Sequence, residues 1–196
     1  VVKNIRINTV GGVIGAGQMG NGIAHVAAAA GFDIRLHDIA EERINAALAT
    51  IDGNMARQVS KGALAEDERR AAIARIRPAV GLADLGDCDL VIEAATENEE
   101  VKRKIFTAVC PHLKPDAILA SNTSSISITR LAAATDRPEH FIGIHFMNPV
   151  PLMQLVELIR GIATDDGTFE RAKNLVGKLH KTDVPFQVKL LDIPMQ

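Results

Sequence analysis

Apolar positions in this chain fall into short continuous runs separated by longer stretches with helical spacing. Residues 10–14 read as a first strand, and the Ala-rich residues 19–30 as the helix after it, stopped by Gly31. A second strand, residues 32–38, ends in Asp38, and a polar-faced helix then spans residues 41–60. Within it Ile44, Leu48, Ile51 and Met55 recur at three and four residues, which marks one buried face. Lys61-Gly62 breaks that helix, and a second one, residues 65–76, returns toward the sheet. This hairpin is longer than a crossover requires, which makes it a candidate for binding something itself.

The alternation continues. Residues 90–95 read as the fourth strand, followed by an amphipathic helix over 98–113 that uses Val101, Ile105, Phe106 and Val109. Residues 117–120 form the fifth strand and 128–134 a short helix. Two more strands, 141–146 and 155–159, a helix over 168–180 and a last strand over 185–188 complete the pattern. Strands and helices in this order predict an α/β fold of Rossmann type, a doubly wound and mostly parallel sheet. Val10-Gly11-Gly12-Val13 has one glycine more than a strand needs, which predicts a bulge.

The first strand meets the first helix through Gly15-x-Gly17-x-x-Gly20, with Gln18 and Met19 inside the turn. Gly15 permits the bend, Gly17 lets backbone approach a pyrophosphate, and Gly20 lets the helix pack close to the sheet. The helix aims its free N–H groups and positive dipole end at the phosphates. Asp38 lies 23 positions after Gly15, where a carboxylate binds the adenosine ribose hydroxyls. That acid favours NAD over NADP, while the neighbouring His37 leaves some tolerance for a phosphate.

Composition narrows the class. A length of 196 residues suits one ordinary domain, and 47% hydrophobic with 23% charged residues is typical of a globular protein. Net charge is −2 without blocks of like charge, so no nucleic-acid or anionic-membrane surface is expected. No apolar run approaches the ~18 residues of a membrane span. The first residue is Val1, which suggests a processed or incomplete start, and residues 1–8 lack the apolar core of a secretory signal. Cys88 and Cys110 stand in unrelated contexts, so a reduced, cytoplasmic setting is expected. Six scattered histidines give no metal site.

Three polar segments leave strands at the edge where such sheets bind ligands. They are Ala95-Thr96-Glu97-Asn98, Ser121-Asn122-Thr123-Ser124-Ser125 and His145-Phe146-Met147-Asn148-Pro149. Alcohol oxidation needs a base that titrates near neutrality, and His145 supplies one. Glu157 sits inside the apolar run Leu155-Val156-Glu157-Leu158-Ile159 and must find a partner there. Pairing it with the second imidazole nitrogen would orient the ring and strengthen it as a base. The competing reading pairs Glu157 with a Lys or Arg. The Asn122-Thr123-Ser124-Ser125 run could be a helix cap, but capping needs one such residue. The surplus suggests hydrogen bonds to nicotinamide or substrate oxygen.

The stretch from Ala120 to Thr129, followed by His145-Phe146-Met147-Asn148-Pro149-Val150-Pro151-Leu152-Met153, resembles the L-3-hydroxyacyl-CoA dehydrogenases. Gly15 to Ala24 with Gln18-Met19 is most similar to their bacterial 3-hydroxybutyryl-CoA branch. The resemblance implies NAD as cofactor, an acyl-CoA substrate and a homo-oligomer. It implies that His145 is the general base, Glu157 its orienting partner, and Ser124 a ligand of the 3-oxygen with Asn148 close by. Glu97 and Lys102 would touch cofactor ribose or nicotinamide, with Asn122 beside them, and Asn54 and Lys61 would hold the CoA. Residues 1–189 would be the NAD-binding domain. Residues 190–196, where Asp192-Ile193-Pro194 leads into Met195-Gln196 after an irregular Lys189-Leu190-Leu191, would start a linker to a helical domain that the chain lacks. A form so shortened would have little activity. A non-catalytic NAD-binding module and a dehydrogenase of free hydroxy or sugar acids remain the alternatives.

Overall fold

The computed structural model describes residues 9–186. Its strands are β1 (Val10–Ile14), β2 (Asp33–His37), β3 (Ile76–Ala79), β4 (Leu90–Glu93), β5 (Ile118–Ser121), β6 (Phe141–Phe146), β7 (Leu155–Arg160) and β8 (Thr182–Phe186). The helices are α1 (Gln18–Ala29), α2 (Glu41–Ser60), α3 (Glu66–Arg75), α4 (Glu99–Val109), α5 (Ile128–Ala132) and α6 (Asp166–Lys178). All eight strands join one sheet in the order β3-β2-β1-β4-β5-β6-β7-β8. Only the β6–β7 pair is antiparallel.

Both faces of the sheet are covered, which explains why its strands read as continuous apolar runs. Val13, Ile92, Ala120 and Ile144 point into one cluster with α1, α2 and α6. Ile14, Val91, Leu119 and Phe141 point the other way, against Phe106 and Val109 of α4 and Leu131 of α5. Phe106 and Phe141 meet edge to face, their ring centroids 4.9 Å apart.

The structure corrects three expectations. The third strand, β3, went unplaced because only Ile76 and Ala79 of its four residues are buried, and α3 runs straight into it. It is an edge strand, where Pro78 is tolerated. Strand β1 carries no bulge: Gly11 and Gly12 keep unbroken register with both β2 and β4. Gly12 is instead a packing requirement, since a Cβ there would lie 2.9 Å from Val91 Cγ2 and 3.2 Å from Cys88 Sγ. Finally, β8 begins at Thr182, three residues before the expected start. The expected end of that strand at Val188 and the 189–196 segment lie outside the described residues, as does 1–8.

Candidate active site

The turn after β1 needs its glycines individually. Gly15 adopts φ +101°, and a Cβ there would approach Ala95 Cα to 2.5 Å. A Cβ on Gly20 would lie 1.6 Å from the Gly15 carbonyl oxygen, so α1 starts against the turn only because Gly20 has none. Gly17, the N-cap residue, faces open space. No side chain caps α1 and no acid lies in its first turn, which leaves a cradle suited to a phosphate. The glycine turn therefore fits the pyrophosphate of a dinucleotide.

Asp38 stands directly behind this cradle. Its Oδ2 accepts a hydrogen bond from Ala16 N at 2.8 Å, and Oδ1 accepts one from Ala40 N at 3.3 Å. The His37 ring is mostly buried, with Nδ1 taken up by the Ala79 carbonyl oxygen at 2.9 Å. Ile39 and Val80, just past the ends of β2 and β3, are 94% and 89% exposed. They leave apolar surface near the ends of β2 and β3, which the alternation pattern did not reveal.

Strand order reverses between β1 and β4, and a cavity of about 460 Å³ opens there. Gly17, Gln18, Met19, Glu97, Asn122, Ser124, His145 and Asn148 all line it. Glu157 supports it from behind. His145 and Glu157 are direct partners across the antiparallel β6–β7 pair, which puts both side chains on one face. Nδ1 of His145 lies 2.8 Å from Glu157 Oε2, both side chains being about four-fifths buried. An ionised carboxylate only accepts, so the ring carries its proton on Nδ1 and offers the Nε2 lone pair.

Glu97 organises the loop after β5. Its Oε1 accepts from the Thr123 hydroxyl at 2.6 Å, from Ser124 N and Oγ at 2.9 and 3.1 Å, and from Ser125 N and Oγ at 3.2 and 3.1 Å. Burial alone would raise this carboxyl. The hydrogen bonds from Thr123 and Ser124, with the charge on Lys102, outweigh it and hold Glu97 below the ordinary carboxylate range. The surplus of hydroxyls in the Asn122–Ser125 run thus serves Glu97 first, while Ser127 caps α5 by accepting from Arg130 N. Asn122 Oδ1 accepts from Phe146 N at 2.9 Å, tying the end of β5 to the end of β6.

Lys102 is not among the residues lining the cavity. Its side chain is fully buried, and Nζ donates to Glu93 Oε2 at 2.6 Å, with Glu97 Oε2 farther off at 3.9 Å. Glu93, equally buried, also accepts from Ala95 N at 2.8 Å and from Ser121 Oγ at 3.1 Å. It is an acid within an apolar strand, the same signal that singled out Glu157, and a lysine nine positions on was its evident partner.

Asn54 and Lys61 do not reach the first cavity. They line a second one of about 270 Å³ with His25, Arg57, Gln58 and Pro149, under the turn that leaves β6. Arg57 donates to Asn54 Oδ1. Burial pushes the Cys88 thiol up to about 12 and raises Cys110, and both are free thiols. Among the described residues no helix is long and apolar enough to cross a membrane, and no His, Cys, Asp and Glu cluster could hold a metal.

Residues 10–189 match the family described as 3-hydroxyacyl-CoA dehydrogenase, NAD binding domain. The chain is 69% identical over 170 residues to a 3-hydroxybutyryl-CoA dehydrogenase of Bradyrhizobium diazoefficiens, covering 87% of this chain and 58% of that protein. It is 50% identical over 171 residues to a probable 3-hydroxybutyryl-CoA dehydrogenase of Deinococcus radiodurans, covering 87% and 61%. The crystal structure of (S)-3-hydroxybutyryl-CoA dehydrogenase PaaH1 from Ralstonia eutropha aligns with TM-score 0.91 at 42% identity, over 93% of this chain and 64% of that one. The chain thus spans about three-fifths of the length of these relatives. With the dinucleotide turn, the His–Glu pair and these matches together, the chain belongs to the 3-hydroxyacyl-CoA dehydrogenase family and carries its NAD-binding domain.

Proposed function

We propose that this domain serves the NAD-dependent interconversion of an (S)-3-hydroxyacyl-CoA, 3-hydroxybutyryl-CoA in particular, with its 3-ketoacyl-CoA. One observation carries the reading: a histidine held by a carboxylate at 2.8 Å opens into the cavity that the glycine turn also lines. NAD, when bound, supplies the hydride acceptor. Nε2 of His145 takes the hydroxyl proton as hydride leaves C3, and Glu157 stabilises the imidazolium that forms. Ser124, whose hydroxyl donates to Glu97 in the unliganded domain, would turn that donor to the 3-oxygen of the bound substrate. Asn54 and Lys61, with Arg57 beside them, hold the CoA in the second cavity.

The names of the relatives support the choice of acyl group, and two buried free thiols are in keeping with a cytoplasmic setting. We further propose that the remaining two-fifths of those relatives, or its counterpart, completes the acyl-CoA cleft, and that the 196 residues alone turn over slowly. The test joins this chain to the corresponding remainder of the Bradyrhizobium relative and follows acetoacetyl-CoA reduction. His145→Ala is expected to lower turnover by about 10²–10⁴ while leaving NAD affinity nearly unchanged. Turnover unaffected by that substitution refutes the assignment.

A further inference from the structure

Among the described residues the reaction cavity is lined by no lysine or arginine, and Glu97 is the one carboxylate that lines it. The positive charge behind it, Lys102, is fully buried and already committed to Glu93 at 2.6 Å. Glu93, Lys102 and Glu97 together therefore carry one net negative charge, and the partly exposed member of the three is Glu97. Its carboxylate cannot swing aside, because Thr123, Ser124 and Ser125 hold Oε1 through five contacts. Oε2 has only the distant ammonium at 3.9 Å.

Oxidised and reduced nicotinamide dinucleotides share the same adenosine, ribose and pyrophosphate. They differ in the ring, which carries a unit positive charge when oxidised and none when reduced. A group whose interaction depends on that charge can tell them apart. We propose that Glu97 is the determinant of oxidation state in this domain, binding the oxidised cofactor preferentially through the charge on its ring.

This rests on the dehydrogenase reading, and it gives the two acids of the site separate tasks. Before transfer the positive charge is on the nicotinamide, in the cavity that Glu97 lines. After transfer the hydride has neutralised the ring and the hydroxyl proton sits on His145, where Glu157 faces it. One positive charge leaves the neighbourhood of one carboxylate and appears beside the other. The Asn122–Ser125 hydroxyls, more numerous than capping needs, are what keep the first carboxylate ionised and in place.

The experiment uses the 196-residue chain and isothermal titration with NAD⁺ and with NADH separately. Glu97→Gln keeps the shape and an acceptor oxygen but removes the charge. The expected result is about a tenfold weaker Kd for NAD⁺ with NADH changed less than about twofold. The pyrophosphate contributes equally to both titrations, so their ratio isolates the ring. A second measurement needs no variant: in the wild type, raising the salt concentration should move the NAD⁺ to NADH affinity ratio toward NADH. If Glu97→Gln weakens both cofactors equally, or leaves the ratio unchanged, the inference falls while the dehydrogenase reading stands. If the variant does not fold, an affinity ratio in the wild type that ignores salt overturns it. If the wild type binds neither cofactor, the functional reading itself falls and takes this with it.

Discussion

Lys102→Met tests the buried charges beneath the cofactor cavity. The substitution keeps the length of the stem and removes the ammonium from a position with no solvent exposure. Glu93, also without exposure, then keeps two hydrogen-bond donors, Ala95 N and the Ser121 hydroxyl, but loses its countercharge at 2.6 Å. Removing one partner of a buried pair costs about 3–5 kcal/mol, because the remaining charge is stranded. For a domain of this size, with m near 2 kcal/mol per molar urea, the unfolding midpoint should fall by roughly 1.5–2.5 M. Glu93→Gln combined with Lys102→Met removes both charges and leaves an acceptor for Ala95 N. That double variant should recover to within about 1–2 kcal/mol of the wild type, since removing both charges together strands neither. Urea titrations of the wild type, both single variants and the double variant give the coupling directly. A single-variant loss under about 1 kcal/mol, or a double variant no better than the single, refutes the reasoning.

Burial lowers the His25 pKa from its ordinary 6.5, so the folded state binds fewer protons than the unfolded state just below that value. Stability from this group is therefore present above about pH 6.5 and lost as pH falls through the window beneath it; His25→Gln should flatten that slope in urea titrations from pH 7 to 5, and an unchanged slope counts against it. Asp38 behind the glycine turn, with His37 directed to Ala79, should make NAD(H) bind at least tenfold tighter than NADP(H), a gap of ~1.4 kcal/mol, and equal affinities by titration would contradict this. Leu152, Met153, Leu155 and Val184 leave apolar surface exposed along β7 and the edge strand β8, so the chain should self-associate, with Leu155→Lys weakening the contact. A strict monomer by light scattering at high concentration would sink that expectation.

Most of the architecture was legible in the sequence because local rules and burial agreed. Six of the eight strands, β1, β2 and β4 to β7, carry runs of residues that leave water, and α2 shows its buried stripe in Ile44, Ile51 and Met55. Of the two edge strands, β3 escaped because an edge strand needs only one buried face, and two buried residues make no pattern. Gly15 and Gly20 were readable because the Gly-x-Gly-x-x-Gly spacing is itself a signal along the chain, although a Cβ on Gly15 would meet the distant Ala94 and Ala95. Gly12 belongs to no such motif, and its requirement comes only from Val91, Cys88 and Leu85, which the fold brings to it.

Chemistry divided along the same line. The sequence by itself determined that His145 and Glu157 are available and that an acid in an apolar strand needs a partner. Only the tertiary structure decided that β7 runs antiparallel to β6 in a register that sets those two residues opposite each other. It likewise decided that Lys102 turns inward to Glu93, and that the hydroxyls of Thr123, Ser124 and Ser125 converge on Glu97. The reason is physical: hydrophobic periodicity records which side of an element is buried, a one-body property of each residue. Which charges meet depends on the packing of distant elements, and that pairing leaves no period along the chain.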